Sequence, residues 1–320
     1  MASPLSDIPF YFNPSYLADG RVQIESPQHL CVYLINQSSI DTVKKTLNFF
    51  TIISNVCLVK GRELHIDFSK LQFFSAAASV LLFAEITRVQ LVTNNHDVIT
   101  FTLPESGPVL RLFRNSGLNK AISAGADRKL NSLFNDNNPY QSGKDPNKFL
   151  IPAIMHLNDQ GLEWSRPQSR IISKGIQEAM LNVLHHAYEN IPDNKSGIGQ
   201  RWWQLSLLDK EEKTVTFIIY DKGMSIPKSI AEKLPANIST DAEAIEFAFQ
   251  KGVTRCINEP TRGKGSEDIK DVTTVKDNSK LLVYSGNGMY YIDREGGETL
   301  KLTLPANING TMIEWLIPYE

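Results

Sequence analysis

Three polar side chains, Glu178, Asn182 and His186, are spaced four residues apart in a run that is otherwise typical of a helix. Residues four apart lie on one face of a helix, so these side chains would align. An amide oxygen can ligate Mg²⁺, and a carboxylate one turn away can orient or deprotonate a nucleophile. The spacing therefore indicates a site for a magnesium nucleotide. The alternative is an amphipathic helix with a polar outer face, because this spacing also occurs by chance.

The helix that carries these residues has clear start and stop signals. Ser165 followed by Gln168 matches a capping box, and Ile191-Pro192 ends the helix because proline disfavours helical geometry in the residue before it. A separate apolar stripe can face a core, and it consists of Ile172, Ile176, Ala179 and Val183.

Three glycine-containing blocks follow along the chain. An apolar, β-branched run at 215–220 predicts a strand, and it leads directly into Asp221-Lys222-Gly223. The loop Arg262-Gly263-Lys264-Gly265-Ser266 precedes a stretch that can form a helix, 267–274. Asn309-Gly310-Thr311 opens a predicted final strand, 312–317.

In this order the four blocks resemble the GHKL ATP-binding fold shared by gyrase, MutL and histidine kinases. The block from Glu178 to Tyr188 is most similar to the anti-sigma-factor serine kinases, in which E-A-x-x-N-x-x-x-H-[AG]-Y is typical. The resemblance covers residues 149–320. It implies a Bergerat-type α/β sandwich, with a mixed, mostly antiparallel sheet under helices, and it implies ATP and Mg²⁺ as cofactors.

The resemblance also implies a role for individual residues. Glu178 would be the general base or the carboxylate that orients water, and Asn182 would ligate Mg²⁺. Asp221 would accept a hydrogen bond from the adenine amino group, and Gly223 would let the backbone pass close to the base. Thr311 would support the adenine end of the pocket.

The phosphate end is implied by the second glycine block. Gly263 and Gly265 would let backbone amides approach the phosphates at a helix N-terminus. Lys264 either adds a positive charge there or is solvated, and the same alternatives hold for Arg255 and Arg262. Two departures stand out: the loop reads R-G-K-G-S where G-x-G-L is commoner, and Ser225 replaces the second glycine of the usual D-x-G-x-G.

The first half of the chain alternates strand and helix signals over residues 28–122, which predicts a small α/β domain after an N-terminal extension, 1–27. Residues 64–78 resemble the STAS domain of anti-sigma-factor antagonists, and an unrelated α/β module with the same alternation is the alternative. Residues 123–148 are rich in Asn, Asp, Ser and Gly, which predicts a linker.

If the STAS resemblance holds, the serine that such domains carry for phosphorylation is missing. The expected positions are Ala76 and Ala77, and Ser75 is the better candidate for a helix N-cap. This predicts an interaction module that is not itself a kinase substrate.

Bulk properties exclude several classes of protein. The net charge of −2 gives no pull towards nucleic acid or an anionic membrane. There is no signal-peptide pattern and no uninterrupted apolar run of the roughly 20 residues that span a bilayer. The three cysteines are far apart, which favours free thiols in a reducing compartment. We therefore expect a cytoplasmic protein.

Three functions fit these features. The first is a serine/threonine kinase acting on a separate protein, and the second is a switch whose lid, within 221–263, orders when ATP binds. The third is a scaffold that needs no nucleotide, which the joint presence of the site residues disfavours. The partner is expected to be a protein of unknown identity, and homodimerisation stays open.

Overall fold

The computed structural model describes residues 5–189, 199–250, 265–293 and 297–319. The chain is a mixed α/β protein and divides into two compact units. The first unit contains described residues up to Gln141, and the second contains those from Ser142 onward.

A four-stranded sheet forms the centre of the first unit. Its strands, in spatial order, are β1 (Ser15–Tyr16), β2 (Val22–Glu25), β4 (Leu64–Asp67) and β6 (Ile99–Thr102). β1 is antiparallel to β2, whereas β2, β4 and β6 are parallel. β3 (His29–Leu30) and β5 (Phe73–Phe74) form a separate parallel pair.

Helices connect the parallel strands, as crossovers between parallel strands require. The α-helices of this unit are α1 (Ser39–Ser54), α2 (Ala76–Thr93), α3 (Gly107–Asn115), α4 (Leu118–Ile122) and α5 (Ala126–Asn135). A 3₁₀ turn, Phe10–Phe12, and a π-helical turn, Asn55–Val59, complete it.

β2 corrects the prediction that residues 1–27 are an extension. Val22 and Ile24 are fully buried and alternate with the half-buried Gln23 and Glu25. β2 pairs in parallel with β4, placing Val22 opposite Leu64. The segment is therefore an inner strand of the sheet, and its short apolar alternation was too weak a signal without its partner strand.

α2 is the central helix of the first unit. It is long and apolar enough to cross a membrane by length and composition, but 72% of it is buried inside the structure. Ser75 is its N-cap, as predicted, and the Ser75 hydroxyl accepts a hydrogen bond from the Ala78 N–H at 3.3 Å.

The linker predicted at 123–148 is contradicted by helix α5 and a further strand. In α5, Ala126, Leu130 and Leu133 recur at helical spacing and are all buried. β7 (Tyr140–Gly143) follows, and the division between the units falls inside it. The apolar stripe of α5 is difficult to recognise in the sequence, because most residues of this helix are polar and most belong to its outer face.

A seven-stranded sheet forms the second unit, in the order β12-β11-β10-β13-β9-β8-β7. From β8 to β12 every neighbouring pair is antiparallel. The bounds are β8 (Trp202–Asp209), β9 (Thr214–Asp221), β10 (Lys280–Ser285), β11 (Gly288–Asp293), β12 (Glu298–Thr303) and β13 (Thr311–Pro318).

Helices pack against this sheet and against each other. They are α6 (Pro146–Asp159), α7 (Arg166–Asn182), α8 (Ile226–Ser229), α9 (Asp241–Ala248) and α10 (Gly265–Asp271). A π-helical turn, Val183–Ala187, extends α7, and 3₁₀ turns cover Ala231–Lys233 and Val272–Thr274. The capping box of α7 is confirmed, since the Ser165 N–H donates to Oε1 of Gln168 at 3.0 Å.

Candidate functional site

A cavity of about 540 Å³ lies within the second unit, between α7, α10 and the helices after β9. Its volume is typical of small-molecule sites. Five residues that the sequence singled out line it, although they are spread over more than 130 positions: Glu178, Asn182, Asp221, Gly265 and Thr311.

The polar face of α7 forms one side of the cavity. Glu178, Asn182 and His186 all line it and are all half-buried. Asn182 ends the α-helical part, and His186 lies in the π-helical turn. The predicted alignment of these three side chains is therefore present, whereas the proposed stop at Ile191-Pro192 lies outside the described residues.

Asp221 is the buried acid of the cavity. It ends β9, its exposed fraction is 5%, and its Oδ1 accepts the Gly223 N–H at 2.8 Å. Burial raises the pKa of Asp221 to about 7, against the opposing effect of backbone N–H donors from Gly223 and Thr311. Such a carboxyl can present an acceptor to a ligand that donates a hydrogen bond.

Gly223 fits its place because the chain there lies directly on the end of α7. A Cβ at Gly223 would overlap the carbonyl oxygen of Ala187, which also accepts the Met224 N–H at 2.5 Å. The Lys222 N–H donates to the Tyr188 hydroxyl at 3.1 Å. The glycine requirement thus has a packing cause in the protein itself.

Thr311 is held opposite Asp221 in the register of β9 and β13. Its hydroxyl lies 2.8 Å from that of Ser285, which is fully buried and also donates to the Gly310 carbonyl at 3.2 Å. Gly310 has φ +126°, a conformation that favours glycine. This network fixes the Thr311 hydroxyl beside the acid.

Gly265 brings α10 against Glu178. A Cβ at Gly265 would overlap Oε1 of Glu178, so the backbone of Gly265 packs on the carboxylate. One turn earlier on α7, a Cβ at Gly175 would overlap Cγ2 of Val272 and lie 2.9 Å from the Asp268 carbonyl oxygen. The two glycines let the helices lie close together along the face of α7 that carries Glu178.

The structure explains one departure from the family pattern. Ser225 has φ −66° and ψ 153°, which any residue adopts, so this position needs no glycine. The other departure concerns Arg262, Gly263 and Lys264, which lie outside the described residues, as do Arg255 and the rest of 251–263, the final part of the predicted lid.

An apolar wall completes the cavity, and sequence reasoning missed it. Its residues are Ile219, Met224, Ile226, Ile230, Ala248, Phe249, Ile269 and Ile313. The apolar positions after D-x-G were the available signal, but only the fold shows that they surround one space. Ser266 and Asp268 also line the cavity and were not predicted.

Metal binding here needs a ligand that brings its own oxygens. Within the described part of the chain there is no group of three or more His, Cys, Asp or Glu side chains that could hold an ion. Mg²⁺ often takes one or two protein oxygens together with substrate phosphates and water. Asn182, half-buried beside Glu178, fits that limited role.

The first unit offers no accessible hydroxyl at the start of α2. Ser75 is 4% exposed and caps the helix, and Ser79 is 1% exposed, with its hydroxyl 2.8 Å from that of Tyr140. Ala76 and Ala77 occupy the first turn between them.

No family model matches this chain, and no curated protein matches it. The family resemblances therefore stay predictions.

Proposed function

We propose that the second unit binds Mg-ATP in the manner of GHKL proteins. The observation that carries the proposal is the convergence of Glu178, Asn182, Asp221, Gly265 and Thr311 on one cavity. These residues were chosen from the sequence, through the motifs that carry the family resemblance, and a chance set would scatter over the surface of the unit.

The cavity offers different chemistry at its two sides. Asp221 and Thr311 lie among apolar side chains, which suits a flat base whose amino group needs an acceptor. Glu178, Asn182 and Gly265 lie on the α7 and α10 side, which suits the phosphates and a magnesium ion. The nucleotide is therefore proposed to bind with its base near Asp221 and its phosphates near Glu178 and Asn182.

The proposed activity is slow hydrolysis of ATP or transfer of its terminal phosphate to a protein partner. Mg²⁺ would neutralise the phosphate charge when bound. Glu178 would orient or deprotonate the water or hydroxyl that attacks, and Asn182 would hold the ion. The first unit is proposed to be a STAS-like interaction module, since Ser75 is buried and alanines follow it.

Calorimetric titration with ATP, with and without Mg²⁺, tests the proposal. We expect magnesium-dependent binding by the wild type and by Asp277→Asn, a matched change at an exposed position outside the cavity. Asp221→Asn should weaken binding about tenfold to a hundredfold, the value of a hydrogen bond to a charged group. No binding by the wild type would refute the proposal.

Asn182→Ala separates the metal from the nucleotide. It should weaken ATP binding in the presence of Mg²⁺ and leave binding without Mg²⁺ unchanged. Asn158→Ala, at an exposed position on α6, is the control. An equal loss with and without the metal would remove Asn182 from the metal role.

A further inference from the structure

The end of α9 carries part of the cavity wall. Ala248 ends the helix, Phe249 follows it directly, and both residues line the cavity. The position of α9 therefore determines the shape of the cavity on this side.

α9 lies on the Asp221 side of the cavity. α8 begins there, because the Ile226 N–H donates to the Ser285 hydroxyl at 2.8 Å and Ser285 contacts Thr311. α9 packs against α8. Phe249 lines the same cavity as Asp221 and Thr311, and its side chain is 4% exposed.

The hairpin of β10 and β11 holds the start of α9. The Asn287 N–H donates to Oδ2 of Asp241 at 2.7 Å. A Cβ at Gly288 would lie 2.6 Å from the Ala242 nitrogen, so the helix rests directly on the hairpin turn. Thr240 and Glu243 cap the helix, so the Asp241 carboxylate serves this contact instead.

The same hairpin holds the end of α9. The ring centroids of Phe249 and Tyr290 are 5.9 Å apart, with the planes tilted by 38°. Tyr290 is 3% exposed. Between these two contacts, Nζ of Lys301 on the neighbouring strand β12 lies 2.8 Å from Oε2 of Glu246. The helix is fastened at both ends to one hairpin.

We infer that Phe249 packs against the nucleobase, and that Asp241 and Tyr290 are positioning residues that hold it there. This inference rests on the proposed nucleotide site. Stacking of an aromatic ring on a base depends little on which base is bound. It is stronger when the ring is held in one position, and the contacts with the hairpin hold Phe249 in this way.

Titration with adenosine and with inorganic tripolyphosphate tests the inference, because the two probes report the two sides of the cavity. Phe249→Ala should weaken adenosine binding about tenfold and leave tripolyphosphate binding unchanged. Phe247→Ala is the matched control, since Phe247 is half-buried and does not line the cavity. Phe249→Leu keeps most of the apolar volume, so its unfolding temperature should equal that of the wild type. Its loss of adenosine affinity should be smaller than that of Phe249→Ala.

For each positioning residue, a conservative substitution can be compared with substitution by alanine. Tyr290→Ala and Asp241→Ala should weaken adenosine binding, whereas Tyr290→Phe keeps the ring and Asp241→Asn keeps an acceptor for the Asn287 N–H, so both should bind as the wild type does. If Asp221→Asn weakens adenosine binding but Phe249→Ala does not, the inference about Phe249 is overturned while the proposed function stands. A wild type that binds neither ATP nor adenosine would overturn the proposed function with it.

Discussion

The chemistry of the cavity depends on two carboxyl groups in different surroundings. Asp221 is fully enclosed and has a raised pKa, whereas Glu178 is half-buried against the Gly265 backbone. When two acids of one site lie in different environments, they often have different roles in that site. In the proposed site, Asp221 recognises the base and Glu178 serves the reaction.

The raised pKa of Asp221 predicts that base binding depends on pH. In the proposed site the carboxylate would accept a hydrogen bond from an adenine amino group, and protonation near pH 7 would remove its charge. Affinity for adenosine should therefore fall by up to about tenfold per pH unit below about pH 7. Calorimetry with adenosine measures this directly, because its base stays neutral there. In Asp221→Asn the profile should be flat, and a flat wild-type profile would contradict the assignment.

The same shift has an effect on stability. The folded pKa, about 7, lies above the ordinary value of 3.8, so the fold takes up a proton between these values. The contribution of Asp221 to the free energy of unfolding is complete below about pH 4 and is lost as pH rises through about 7. Denaturant unfolding of the wild type and of Asp221→Asn should show a stability difference that changes over this range.

Glu178 is predicted to act in turnover more than in binding. Glu178→Ala should lower phosphate release by about a hundredfold or more while ATP still binds, since general-base catalysis contributes at least that factor. Glu163→Ala, an exposed change in the loop before α7, should leave both unchanged. Turnover that persists in Glu178→Ala would remove Glu178 from the catalytic role.

At the scale of elements, the sequence predicts the structure well where local interactions within one segment determine it. The capping box at Ser165 and the strand ending at Asp221 could both be predicted from the sequence. The turn between β10 and β11 has a local cause too, because Gly286 and Asn287 form a two-residue hairpin loop. The hairpin glycine has φ +62°, as such turns require. These elements also carry or position most of the site.

Other elements could not be read, because their stability comes from distant partners. β2 has four residues and is fixed by pairing with β4, in which each partner residue lies 42 positions further along the chain. α9 ends at Ala248, just before Phe249 packs on Tyr290, a contact that no local pattern indicates. The apolar cavity wall is likewise a product of packing between elements.

The close packing of α7 and α10 gives a prediction about stability. Gly175→Ala would drive a methyl group into Val272 and the Asp268 carbonyl, which should destabilise the protein by about 1–3 kcal/mol. Gln177→Ala, exposed on the same helix, is the control. Denaturant unfolding measures both, and an unchanged midpoint for Gly175→Ala would show that the helices are not held this closely.

At the scale of the whole molecule, the proposed nucleotide unit follows a unit in which the serine at the start of α2, Ser75, is buried. Incubation with ATP labelled on its terminal phosphate should therefore leave Ser75 unlabelled, because it is buried and caps α2. Phosphopeptide mapping checks this. Label on Ser75 would contradict the interpretation of the first unit as an interaction module only.

The central claim is that residues from α7, β9, α10 and β13 form one nucleotide site. A crystal structure with a non-hydrolysable ATP analogue and Mg²⁺ tests it most directly. The account predicts the adenine amino group within hydrogen-bond distance of the Asp221 carboxyl and the ion on the Asn182 amide oxygen. A nucleotide bound elsewhere, or in this cavity with its phosphates against Asp221, would contradict it.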